Sequence, residues 1–477
     1  MSFLEALTTE VNDLLWSYVL IIALIGVGLW FTIRTRFVQF RLTGEMVRLL
    51  SRKTDKEVER KGISSFQAFC ISLASRVGTG NLAGVALAIS LGGPGAVFWM
   101  WLIALLGAAS AFVESTLAQI YKVRDGEAFR GGPAYYMEKA LNKRWMGILF
   151  SILITLCFGL VFNAVQANTI TLAFEPFGMN RSILGVLLVA AMALIIFGGV
   201  QRIAKTAQVI VPVMAVLYIL LALYVLLINV TEIPGVIGLI LANAFGFKAV
   251  AGGGLGVAVM EGIKRGLFSN EAGMGSAPNA AATAKVSHPV KQGLVQTLGV
   301  FTDTLIICSC TAFIILFSGQ YTTGEADGIQ LTQNALGAEI GSWAGVFVAV
   351  AVFLFAFSSL VGNYYYGETN IEFARANSKG WLTAYRLAVL SMVMFGSVAK
   401  IQIVWDLADL FMGSMALLNL IAITLLGPIA FAALKDYLSQ KKEGKDPVFH
   451  VSHIPGLKNV ECWGDEERQM EATKTPH

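Results

Sequence analysis

Apolar runs of about 20 residues, long enough to cross the hydrocarbon core of a bilayer as a helix, recur along almost the whole chain. They constrain its fold more than any motif. They fall near 15–33, 63–91, 94–121, 146–173, 182–200, 204–229, 247–266, 292–318, 342–371, 382–399 and 410–434. The chain is 56% hydrophobic and only 14% charged, with a mean hydropathy of +0.68, outside the soluble globular range. Its 477 residues could make several soluble domains. The unbroken succession of runs predicts instead an all-α polytopic membrane protein of about eleven transmembrane helices.

The loop after the first run holds Arg34, Arg36, Arg41, Arg48, Arg52, Lys53, Lys56, Arg60 and Lys61. Continued alternately, that side collects nearly all of the 35 Lys and Arg, while the other side has Arg181, Lys248 and Lys400. The asymmetry predicts an N-terminus outside and a C-terminus in the cytoplasm. The first run lacks the basic flank of a cleaved secretory signal and is expected to be retained. The five cysteines have neither metal nor disulfide spacing and read as packing residues. The tail from Lys435 onward reads as a loosely ordered extension. "FRGGPAYYMEKALNKRW" reads as a short amphipathic helix lying on the cytoplasmic face.

Two runs carry glycine interruptions that lipid does not tolerate. The second has "SRVGTGNLAG", residues 75–84, at its middle, and the seventh opens with "AGGGLG", residues 251–256. Irregular backbone at membrane depth persists only against protein or a water-filled cavity. Paired interruptions at matching positions of two halves point to a transporter binding site; close helix packing through small residues is the plainer alternative. The two breaks divide the chain into a first helix with a basic loop (1–62), two five-helix repeats (63–229 and 230–434) and a tail (435–477). A half-helix starting after Gly80 offers free N–H groups to a carboxylate, and Thr79 and Asn81 add polar side chains. A half-helix ending before Gly78 exposes carbonyls from Ala74 to Val77, which suit a hard cation such as sodium.

Ser358 and Ser359 lie mid-depth in the ninth run, "FAFSSLVGNYYYGE", and could complete a cation site; back-bonding to the preceding turn is the ordinary role of such serines. Gln166, in the fourth run, reads equally as a ligand contact or as interhelical glue. Intramembrane charges are functional candidates by default. Arg76 and Asp303 sit at matched depths and are expected to pair, with Glu114 as the second partner for Arg76. No histidine falls within a run, which favours coupling to sodium over protons. Glu271 with Lys264 and Arg265 reads as a cytoplasmic gate or as a solvated loop. Asp406 and Asp409 read as an external gate or as a helix N-terminus. The chain lacks GxxxxGK[ST], His–Glu metal spacing, Ser–His pairing in the membrane and a channel filter, which disfavours enzyme and channel readings.

"SRVGTGNLAGVALAISLGGPGAVFWMW", "FRGGPAYYM", "RGLFSNEAGMGSAPNAAATA" and "WDLADLFM" closely resemble the alanine or glycine:cation symporter family. The resemblance implies a LeuT-like five-plus-five inverted repeat preceded by one extra helix, in a bacterial cytoplasmic membrane. It implies symport of a small neutral amino acid with sodium, no resident cofactor and no nucleic-acid partner. By resemblance, Thr79, Gly80 and Asn81 meet the substrate carboxylate and Gln166 contacts the substrate. Gly252, Gly253 and Gly254 line the pocket and meet the amino group. The carbonyls of Ala74 and Val77 with Ser358 and Ser359 hold sodium. Members often carry tryptophan after the glycine of the ninth-run motif. Here that residue is Asn363, a small polar wall in place of a large apolar one.

Overall fold

The computed structural model describes residues 10–51, 63–126, 128–197, 200–246, 254–324, 328–375 and 378–464. It is all-α apart from one two-stranded hairpin, β1 (Val123–Asp125) with β2 (Ala128–Arg130). The helices are α1 (Glu10–Arg34), α2 (Thr43–Ser51), α3 (Ser65–Arg76), α4 (Gly80–Gly92), α5 (Ala96–Ile120), α6 (Pro133–Lys139), α7 (Arg144–Phe177), α8 (Arg181–Ile196) and α9 (Val200–Ile228). They continue with α10 (Ile233–Ala244), α11 (Leu255–Asn270), α12 (Ala277–Thr283), α13 (Pro289–Ser318), α14 (Gly328–Ile340), α15 (Trp343–Ala374), α16 (Lys379–Val398) and α17 (Ile401–Lys442). Among the described residues, seven helices are long and apolar enough to cross a bilayer singly, and α9 with α10 adds a pair bent by 102°.

Local sequence chemistry sets several of these ends. Ser64 caps α3 by accepting the Gln67 N–H at 3.1 Å, and Gln67 Oε1 accepts the Ser64 N–H in return, a capping box. Pro133 and Pro289 stand at the first positions of α6 and α13, where no intrahelical donor is needed. Val77, extended at φ −80° and ψ 93°, ends α3.

The second run is broken where expected, between α3 and α4. The interruption expected in the seventh run at "AGGGLG" begins at Ala251, outside the described residues. Gly252 and Gly253 lie outside the described residues, and Gly254 is an exposed residue preceding α11. Among the described residues a break falls about fifteen residues later, at 271–276, between α11 and α12. There Glu271 takes left-handed backbone (φ 56°), and Gly273 and Gly275 take φ 82° and 89°. This break is polar, "NEAGMGS", and resembles a surface loop until its burial is seen.

The two broken helices lie antiparallel: α3 packs on α12 and α4 on α11, so the breaks meet. The Lys285 N–H, just after α12, donates to Ile63 O at 3.0 Å, just before α3, tying the two ends on the basic face. Around this pair, α5 packs along α13 and α11, α15 on α3 and α7, and α9 on α3. Two surface expectations are corrected. α6 does not lie on the face: Pro133 to Met137 are buried, and Tyr136 Oη donates to Asn419 Oδ1 at 2.5 Å. The described part of the tail is docked, with Phe449 3% and Trp463 8% exposed. All five cysteines are buried and outside disulfides.

Candidate substrate and cation site

Three helical stretches wound as π-turns converge on the breaks: Gly80–Gly84 in α4, Thr155–Phe162 in α7 and Phe301–Cys308 in α13. Such widened turns free backbone groups and often mark functional positions. Between α3 and α4 the helical ladder is replaced by side chains. Asn81 Oδ1 accepts the Gly78 N–H at 2.8 Å. Gln166 Oε1 accepts both the Thr79 N–H at 3.0 Å and the Thr79 hydroxyl at 2.7 Å. The sequence-predicted Thr79, Gly80, Asn81 and Gln166 are thus brought together, each at most 2% exposed where a side chain is present.

The four oxygens expected to hold a cation also converge. Ser359 Oγ donates to Ala74 O at 2.8 Å and lies 3.4 Å from Val77 O. Ser358 Oγ donates to Phe355 O at 2.8 Å and lies 3.5 Å from Ala74 O. This is a buried cluster of carbonyl and hydroxyl oxygens, the ligand type of hard cations. The C-terminal dipole of α3 adds negative potential there. Gly78 is required by this closeness: a Cβ on it would fall onto the Ser359 hydroxyl.

The charged residues are arranged differently from the expected pair. Asp303 accepts from Asn81 Nδ2 at 2.6 Å, Ser269 Oγ at 2.8 Å and Thr304 Oγ1 at 2.8 Å. Arg76 Nη1 donates to Gln296 O at 3.1 Å, and its Nε and Nη2 have no hydrogen-bond partner among the described residues. Arg76 and Asp303 therefore form no ion pair, because neutral donors already fill the carboxylate. Glu114 does not pair with Arg76 either. It accepts the Gly273 and Gly275 N–H groups, each at 3.1 Å, and Asn419 Nδ2 at 2.8 Å, holding the second break open.

Ser75, Ser269 and Ser276 were not singled out in the sequence, and Glu271 was read there only as a gate or a solvated loop. Glu271 is buried in the second break, accepting from Ser75 Oγ at 2.7 Å and Ser276 Oγ at 2.5 Å. Ser75 Oγ also lies 2.8 Å from Asn363 Oδ1, while Asn363 Nδ2 is buried without a partner. Ser269 joins Asn81 to Asp303 across the two breaks. The available signal was an acid and three small polar residues inside a glycine-rich segment, too polar to be read as a span.

Lys264 and Arg265 do not join Glu271. Arg265 holds Asp409 through two bonds of 2.9 and 2.8 Å, with Glu261 at 3.3 Å and Lys264 Nζ 3.4 Å from Asp409. All four are buried, at the end of the bundle opposite the basic loops, where Trp16 Nε1 donates to Asp409 O at 3.2 Å. The Arg265 guanidinium lies over the Trp405 ring (4.7 Å), and tilted ring contacts lead on from Trp405 to Phe268 (4.7 Å) and from Phe268 to Phe162 (4.5 Å). This column closes the site from that side.

The profile of the family described as "Sodium:alanine symporter family" matches residues 1–451. The chain is 61% identical over 461 residues to the probable sodium/glutamine symporter GlnT of Bacillus subtilis (strain 168), covering 96% of each. It is 37% identical over 457 residues to the sodium/alanine symporter AgcS of Methanococcus maripaludis, covering 94% of this chain and 100% of that one. In fold it is similar to MhsT in complex with L-phenylalanine (TM-score 0.52, 16% identity, 79% of this chain and 99% of that one). It is similarly close to a Na+-coupled sialic acid symporter (TM-score 0.52, 16% identity, 91% and 93%). A LeuT-like fold, two crossed helix breaks and a family match along nearly the full length lead to one conclusion: the chain belongs to the sodium:alanine symporter family and is a cation-coupled amino-acid symporter, not an enzyme.

Proposed function

We propose that the protein imports a small neutral amino acid of the alanine or glycine class together with sodium, by alternating access between the two ends of the bundle. It does so as eleven spans in a bacterial cytoplasmic membrane, with the N-terminus outside and the basic face in the cytoplasm. The observation that carries this reading is the convergence of Ala74 O, Val77 O, Ser358 Oγ and Ser359 Oγ beside a helix break. Sodium sits among these oxygens. The amino-acid carboxylate lies at the start of α4, near Thr79, Gly80 and Asn81 with Gln166 beside them. The substrate ammonium is met from the second break rather than from Gly252, Gly253 and Gly254. Arg76 acts as a fixed charge balancing Glu114, Glu271 and Asp303 at a distance rather than as one partner of an ion pair. Uptake of labelled alanine into proteoliposomes tests this. Accumulation is expected with an inward sodium gradient alone, and accumulation only with a proton gradient would overturn it.

A second substrate, glutamine, is favoured by one feature. Asn363 is buried, and its Nδ2, which lacks a partner among the described residues, is free to donate to a side-chain amide. A relative 61% identical carries the name probable sodium/glutamine symporter. Glutamine is then expected to compete with alanine uptake, and Asn363→Trp to abolish that competition while alanine still enters. Equal competition before and after the substitution would exclude this pocket.

A further inference from the structure

The segment after α17 runs as a strap across the basic face, and its hydrogen bonds reach the link between α12 and α13, the start of α13, the end of α5 and the end of α6. Phe449 N–H donates to Ser287 O at 2.8 Å and Ser287 Oγ to Pro447 O at 2.9 Å, so the strap pairs with the link between α12 and α13. Lys291 Nζ holds Asp446 at 2.7 Å beside it. At the far end, Trp463 Nε1 donates to Gln119 O at 2.9 Å, and the Lys122 ammonium lies 4.8 Å over the Trp463 ring. Gln119 Nε2 and Lys122 Nζ in turn both donate to Ala284 O, at 3.0 and 3.1 Å, where α12 ends. Asn459 Nδ2 donates to Lys139 O at 2.9 Å, and Lys139 pairs with Glu461.

The hold is uneven. Beneath the turn at 454–459 lies a cavity of about 420 Å³, lined among others by Tyr121, Asn142, Ile429 and Leu457. The strap is therefore fastened at Phe449 and at Trp463 and bridges a gap between them.

We infer that residues 443–464 form a latch that holds α12 closed against α3 and α5, and that Trp463 must lift before the site opens to the basic face. The inference rests on the alternating-access reading above. Opening that face requires α3 and α12 to part, and the Lys285–Ile63 tie sits at their shared end. A strap bonded to the same link raises the cost of that motion, so it slows release to the basic side without touching the pocket.

Cys462, 6% exposed beside Trp463, reports docking in the native chain, and Val286→Cys in a Cys462→Ser background reports the link. The purified full chain is treated with a membrane-impermeant maleimide, which needs neither sodium nor amino acid. Trp463→Ala is expected to speed labelling of Cys462 at least fivefold and, in the second background, of Val286→Cys at least threefold. Glu461→Lys, a half-exposed change that leaves the helix bundle intact, is expected to act in the same direction with smaller factors. Unchanged Cys462 labelling would show that nothing lifts. Faster Cys462 with unchanged Val286→Cys would show a tail that detaches without loosening α12, and either result overturns the latch. Failure to transport alanine would instead count against the substrate reading and leave the labelling test standing.

Discussion

At the scale of single residues, Gly78 is the most constrained position of the site. It passes between the Ser359 hydroxyl and the Gln166 amide, and its N–H is held by Asn81. Gly78→Ala is expected to lower sodium-driven uptake at least tenfold. It should also remove the rise in melting temperature that sodium gives the wild-type chain, because the added methyl displaces Ser359 from Ala74 and Val77. Retention of the sodium-induced shift would mean that the four oxygens are not the cation site. Ala74, Val77, Ser358 and Ser359 could be named as candidates from the sequence because break and hydroxyls stand at matching depths. Arg76 and Asp303 also stand at matching depths, and yet they do not touch. Depth along a helix is readable from spacing, whereas the direction of a side chain around that helix depends on neighbours, here Asn81 and Ser269 taking the Asp303 oxygens.

At the scale of elements, the second break is held open by one carboxylate of α5. Glu114 accepts two backbone N–H groups from glycines with positive φ, so its loss leaves buried donors unsatisfied, at about 1–3 kcal/mol. Glu114→Gln still fits but brings its own N–H groups toward those donors. It is expected to destabilise the chain by that amount in thermal unfolding and to reduce uptake further than Glu114→Asp. A loop that unfolds and transports as wild type would show that the glycines alone shape the break. The position of this break was hidden from hydropathy. "AGGGLG" is apolar and glycine-rich, like an interrupted span, whereas "SNEAGMGS" is polar enough to pass for a loop and becomes membrane-interior only once α5 and α3 supply its partners.

At the scale of the whole molecule, two charged clusters close the two ends. Opposite the basic face, Arg265 and Asp409 form a buried bidentate pair. Removing one partner of such a pair costs about 3–5 kcal/mol. Asp409→Asn is expected to lower the thermal midpoint and to raise the reactivity of a cysteine placed at Ala83 toward reagents from that side; an unchanged midpoint would mean that the pair contributes no closure. On the basic face, Glu45 of α2 joins Tyr437 at 2.6 Å and Lys441 of α17, with Arg48 at 2.8 Å. Burial acts to raise the Glu45 carboxyl, but the hydrogen bonds from Arg48, Lys441 and Tyr437 outweigh it and bring it from the ordinary 4.5 down to about 2. A depressed carboxyl stabilises the fold above its unfolded value and ceases to do so as pH falls from about 4.5 to about 2. Glu45→Gln is therefore expected to flatten the fall in melting temperature across that window, and an unaltered slope would assign the acid sensitivity elsewhere.

The amino-acid sequence by itself determined the membrane class, the order of the apolar runs, the first broken helix and the family, because hydropathy, charge asymmetry and short motifs are local properties of the chain. Only the tertiary structure decided that a buried break lies at 271–276, which neutral donors occupy Asp303, that Arg265 closes on Asp409, and that the segment after α17 straps the link after α12. Each of those depends on contacts between residues far apart in the chain, and burial changes what a polar segment or a charge can do: "NEAGMGS" in water is a loop, and packed against Glu114 it is a buried helix break.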